Sequence, residues 1–139
     1  MGNSVSVKKI NFEDMQHAIN DINTLIINTM SSKFQNCLIE RTTSIEEEIK
    51  TINNILSKNK EIKIIIYGMN ASDESIVSRY NQLISLGFTN VYVYPGGLFE
   101  WLLLQDVYGD DAFKTTSKEL DILKFKGVRI LGRQLALHP

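Results

Sequence analysis

The chain has one cysteine, two prolines, two histidines and one tryptophan among 139 residues, and each scarcity closes off a class of protein. Cys37 stands alone, so no intramolecular disulfide can form, and with only His17 and His138 beside it no ligand set suits structural zinc. So few prolines, with 43% hydrophobic and 22% charged residues, argue against a disordered or fibrous chain. Apolar runs such as Leu102-Leu103-Leu104 and Ile64-Ile65-Ile66-Tyr67 fall far short of the roughly 18 to 20 residues that span a bilayer, and no secretory h-region opens the sequence. There is no GxGxxG, Walker, HExxH or EF-hand spacing, and no cofactor is implied. These absences leave an intracellular protein of one domain over residues 1–139, with a flexible start at 1–7 and a basic extension at 109–139.

A net charge of −1 conceals an asymmetry. Residues 1–111 hold nine Lys/Arg and fourteen Asp/Glu, whereas residues 112–139 hold six and two. The basic end carries Lys114, Lys118, Lys124, Lys126, Arg129 and Arg133, but only Phe113 and Phe125 are available there to stack on exposed bases. A solvated charged surface is expected, and not a nucleic-acid interface.

Hydrophobic spacing gives the element order. Phe12, Met15, Ala18 and Ile19 predict a helix with Asn11 as N-cap. Leu25-Ile26-Ile27 reads as a strand apolar on both faces, as inside a parallel sheet, and Cys37-Leu38-Ile39 as another strand. Ser44 and Glu47 predict a capping box ahead of Ile45, Ile49, Ile52, Ile55 and Leu56 on one helical face, with Glu46, Glu47 and Glu48 as a solvated first turn. Ile62 to Tyr67 is the expected central strand. A helix through Ile76, Val77, Tyr80, Leu83 and Ile84 ends at Gly87, and a strand follows at Val91 to Tyr94, where Tyr92 and Tyr94 alternate on the sheet. Pro95-Gly96-Gly97 turns the chain into a mostly buried helix from Leu98 to Tyr108, with Trp101 in the core and Asp110-Asp111 in a turn beyond. Helices alternating with short strands predict an α/β three-layer sandwich, a mostly parallel sheet flanked by helices.

In such sheets ligands meet the carboxyl ends of the strands, so the loop after the central strand is the candidate site: Gly68, Met69, Asn70, Ala71, Ser72, Asp73, Glu74 and Ser75. Its backbone N–H groups and the next helix's N-terminus could form an anion-binding nest.

From Ile64 to Trp101 the chain resembles the second half of a rhodanese-like domain: a buried strand, a short loop, a helix, then Leu86-Gly87-Phe88, a strand, the pair Gly96-Gly97 and Trp101. The first half is similar more loosely. Asn28 stands where the family strand usually ends in aspartate, and Asn36-Cys37-Leu38-Ile39 lacks the family's glycine, histidine and proline. The resemblance covers roughly residues 8–108. It implies a loop cysteine that carries sulfur as a persulfide, or that acts as a phosphatase nucleophile. Here that position is Gly68, which has no side chain; the loop has no arginine, and Asp73 and Glu74 would repel an oxyanion. Cys37, on or beside another strand, has no cradle and reads as a small buried hydrophobe.

Met1-Gly2-Asn3-Ser4-Val5-Ser6 fits the N-myristoylation pattern at Gly2, and one such chain gives only reversible membrane contact. The reading is therefore a catalytically inactive rhodanese-like module in the cytoplasm that binds an unidentified protein partner, with membrane contact through Gly2. Two alternatives stand beside it. One is a sulfurtransferase or phosphatase-like enzyme with a relocated thiol; the other is a structural component of a larger assembly, such as a viral one.

Overall fold

Three parallel strands, β1 (Thr24–Asn28), β2 (Lys63–Tyr67) and β3 (Asn90–Tyr94), form a sheet in that order with β2 central, in a computed structural model that describes residues 6–132. Ile65 is in register with Ile26 on one side and Tyr92 on the other. Because side chains alternate across a strand, the sheet has two apolar faces and needs a layer on each.

Both crossover helices, α2 (Ile45–Leu56) and α3 (Ser75–Ser85), cover one face. There Ile52, Tyr80 and Leu83 pack on Leu25, Ile27, Ile64, Ile66, Val91 and Val93. Two parallel crossovers of one hand, running in one direction along a sheet, place their helices on the same side. Met15 of α1 (Phe12–Ile19) and Leu98, Trp101 and Leu102 of α4 (Gly97–Tyr108) cover the other face, over Ile26, Ile65, Tyr67 and Tyr94. The predicted three-layer α/β architecture and the central place of the Ile62–Tyr67 strand are both observed. Single parallel bridges, Lys9 to Val93 and Ile26 to Thr42, occupy the two sheet edges.

Three local expectations differ. Cys37-Leu38-Ile39 is buried but is not a strand. Ile39 makes one antiparallel bridge with Thr115, and Arg41 at φ 70° turns the chain away directly after it. Ser44 does cap α2, but its side chain makes no capping bond, so the predicted box is absent. A box forms instead at α1, where Asp14 N–H donates to Asn11 Oδ1 at 3.0 Å and Asn11 N–H to Asp14 Oδ2 at 3.1 Å. Finally, the buried face of α2 is rotated from the expected stripe: Ile49 is 71% exposed while Glu48, read as part of a solvated first turn, is 9% exposed.

The segment after α4 packs into the core of the α1/α4 face. Phe113 and Phe125 are buried there, the second on a 3-10 turn at Ile122–Phe125. Trp101 Nε1–H donates to Lys114 O at 3.0 Å, and Gln105 Nε2 donates to Phe113 O at 2.7 Å. Among the described residues no helix is long and apolar enough to cross a membrane.

Candidate functional site

At the carboxyl end of β2 the loop folds around a carboxylate of its own. Met69 N–H donates to Asp73 Oδ2 at 3.0 Å and Ser75 N–H to Asp73 Oδ1 at 3.1 Å. The Ser75 hydroxyl also bonds Asp73 Oδ1 and lies 2.8 Å from Thr29 Oγ1, at the end of β1. Asn70 holds the rest of the loop: its Oδ1 accepts Ser72 N–H at 2.9 Å, its backbone carbonyl accepts Asp73 N–H at 3.2 Å, and its Nδ2 donates to Phe125 O at 2.9 Å. Ala71 and Glu74 are exposed on the rim. Two of the loop's amides, those of Met69 and Ser75, thus close on Asp73, and among the described residues no metal-binding cluster accompanies them.

Gly68 opens the loop and is buried. A Cβ built there would stand 2.5 Å from Asp73 Oδ2 and 2.9 Å from both Ile76 Cγ1 and Thr29 Oγ1. Helix α4 packs its N-terminus on the loop backbone. Leu98 N–H donates to Gly68 O at 3.0 Å and Phe99 N–H to Met69 O at 2.9 Å, so two free donors at the start of α4 are satisfied by the loop. This approach requires glycine at 97, where φ is +67° and a Cβ would stand 2.6 Å from Gly68 O.

A cleft of about 430 Å³ lies over the loop, with Asp73 and Glu74 beside Thr29 and with Met30, Phe34 and Val128 as apolar sides. It adjoins a second of about 350 Å³, which shares Thr29, Met30 and Ser75 and adds Glu48, Arg79 and Gln82. Glu48 Oε2 pairs with Arg79 Nη2, while Oε1 is buried with no hydrogen-bond partner. Burial pushes the Glu48 carboxyl above its ordinary value of 4.5, with Arg79 opposing. A raised folded value means that Glu48 favours the folded state most at pH below 4.5, and that this contribution is lost as pH rises through the folded value. Relative to the parent, Glu48→Gln is therefore expected to gain stability as pH is raised from about 4.5 towards neutrality, read from urea midpoints across that range. A difference between the two proteins that is flat with pH would refute it.

Of the residues named from the sequence, the loop residues come together and Cys37 does not join them. Its buried thiol donates to Ser117 O at 3.3 Å, and burial pushes it up from the ordinary thiol value. Asn28 ends β1 in a side-chain amide pair with Gln35, at 2.9 and 3.2 Å. Gly2 lies outside the described residues. Thr29, Met30, Phe34, Val128 and the Glu48–Arg79 pair were not foreseen. Thr29 had a signal, since it follows a strand parallel to β2 and so reaches the same sheet end. For Phe34 and Val128, which come from irregular segments, the pattern held none.

A family model described as Rhodanese-like domain matches residues 11–104. No curated protein matches the chain. Among solved structures, the BH2092 protein of Bacillus halodurans superposes with a TM-score of 0.60 at 16% identity, covering 94% of this chain and 90% of that one. The Alr3790 protein of Anabaena gives 0.56 at 21% identity, over 81% and 83% of the two chains. The single-domain sulfurtransferase RDL2 of Saccharomyces cerevisiae gives 0.52 at 14% identity, over 77% and 98%. At these identities the superpositions establish the fold alone.

Proposed function

Given that the chain belongs to the rhodanese-like family, whose members are mostly sulfurtransferases, we propose that it has kept the fold and loop but works without a catalytic thiol, as a binding module. One observation carries this: the position that opens the loop is Gly68, and Asp73 fills the space for a side chain and takes two of the loop amides, Met69 N–H and Ser75 N–H. A persulfide needs a sulfur atom at that point and donors free to stabilise it. Gly68 supplies no sulfur, and Met69 N–H and Ser75 N–H are already taken by Asp73. Cys37 makes a poor substitute, because its buried thiol is bonded to Ser117 O and held in the protonated form that is not nucleophilic.

Purified protein is expected to transfer no sulfur from thiosulfate to cyanide, and to hydrolyse no aryl phosphate, above a buffer blank. Turnover that disappears in Cys37→Ser would overturn the proposal and make Cys37 the nucleophile. The module acts in the cytoplasm, with reversible membrane contact through a myristoylated Gly2. Intact mass of protein from its native host reads the modification directly, and an unmodified terminus would remove that part.

A further inference from the structure

The cleft over the loop carries a charge opposite to that of a sulfur-transfer site, while in the adjoining cleft Glu48 is balanced by Arg79. Among the described residues, those lining the cleft over the loop include Asp73 and Glu74 and no lysine or arginine. A thiosulfate or phosphate would meet two carboxylates there, so repulsion works against anionic ligands. Met30, Phe34, Met69 and Val128 line the same cleft. Methionines adapt to a flexible aliphatic stem, and a phenyl ring attracts a cation near its face. In the neighbouring cleft Glu48 is 9% exposed, and its Oε1 accepts no hydrogen bond.

Building on the binding-module reading, we infer that this groove takes a lysine or arginine side chain presented by a polypeptide partner. The alkyl stem lies between the methionines and Phe34, and the cationic head meets Asp73 and Glu74. Charge complementarity selects this occupant. The carboxylates exclude the phosphates of nucleic acid or lipid, and the apolar sides favour a side chain over a bare metal ion or a hydrated amine.

The test is an NMR titration of the full ¹⁵N-labelled chain with acetyl-Gly-Ala-Lys-Ala-Gly-amide, its norleucine counterpart and thiosulfate as separate probes. The lysine peptide is expected to shift the amides of Thr29, Met69 and Ser75 in a saturable way with a Kd on the order of 1 mM. Added salt should weaken it, and Glu74→Gln, at an exposed position, should weaken it roughly twofold to fivefold. An equal response to norleucine, an unchanged affinity in Glu74→Gln, or no shift by about 10 mM peptide would overturn the inference. Failure of the peptide with a silent sulfurtransferase assay would remove the basic side chain and leave the binding module standing. Thiosulfate shifts at the loop together with turnover would remove both.

Discussion

Gly68→Cys, which places a thiol at the position that opens the loop, is expected to destabilise the fold by about 1–3 kcal/mol and to give a thiol no more reactive than a free one. The first effect is steric. The new Cβ would overlap Asp73 Oδ2, Ile76 Cγ1 and Thr29 Oγ1 together, and Ile76 is a buried residue of α3 with little room to yield. The second is electrostatic. At an effective dielectric near 20, a carboxylate about 5 Å from a thiolate costs roughly 3 kcal/mol before screening, whereas a helix N-terminus returns typically about 0.3–1 kcal/mol. Repulsion wins, and the thiol pKa should stay at or above about 8.5. Adding Asp73→Ala and Glu74→Gln removes both carboxylates and the overlap at Asp73, leaves those at Ile76 and Thr29, and frees Met69 N–H and Ser75 N–H, so the combined variant should acquire a lower thiol pKa while remaining less stable than the parent. Urea midpoints and alkylation rates against pH, all in a Cys37→Ser background, measure the two effects. An inflection clearly below about 7.5 in the single variant would show that the loop still holds an outside anion.

Ending the chain after Asp111 should abolish cooperative folding, although the family match stops at residue 104. The cut removes Phe113 and Phe125, which are 3% and 1% exposed. It also removes the edge-on partner of Trp101, whose ring centroid lies 5.0 Å from that of Phe113. Losing one buried phenylalanine side chain typically costs about 3–5 kcal/mol, and each buried donor left unpaired, here on Trp101 and Gln105, about 1–3 kcal/mol. Together these reach the total stability of an ordinary domain, about 5–15 kcal/mol. Thermal unfolding followed by far-UV circular dichroism should show no sigmoidal transition for residues 1–111. A transition within a few degrees of the full chain's would mean that residues 112–139 are dispensable. The single substitutions Phe113→Ala and Phe125→Ala test the same packing in chains that still fold.

Whether a feature could be read from the sequence depended on whether its cause was local. The runs Leu25-Ile26-Ile27 and Ile64-Ile65-Ile66-Tyr67 are apolar at every position because both faces of an interior parallel strand are covered, and that alone gave the sheet's centre and the loop beyond it. Cys37-Leu38-Ile39 has the same look for a different reason: the three belong to the core, while the backbone makes a single bridge, Ile39 to Thr115, and a bond to Thr116, both far along the chain. Apolarity reports burial, and three residues cannot say whether the buried backbone joins a sheet. The α2 stripe failed at Glu48 because the partner that draws it inward, Arg79, sits on another helix. Similarly, the two carboxylates were visible as obstacles to an anion at the loop, but the bonds from Met69 and Ser75 to Asp73 depend on how the loop closes, which residue types alone do not specify.

That closure can be expressed as a concentration. Asp73 is a ligand tethered to its own receptor, four residues from Met69 and two from Ser75. A group held on so short a tether presents itself at an effective concentration on the order of mM or higher, whatever the solution contains. An anion from outside must exceed that local supply before it occupies the loop for even half the time, and it must also overcome the charge of the carboxylate it displaces. The occupancy of the nest is therefore set by chain connectivity and is insensitive to the anion content of the surroundings, which makes the loop a fixed structural element on which the neighbouring clefts can be built.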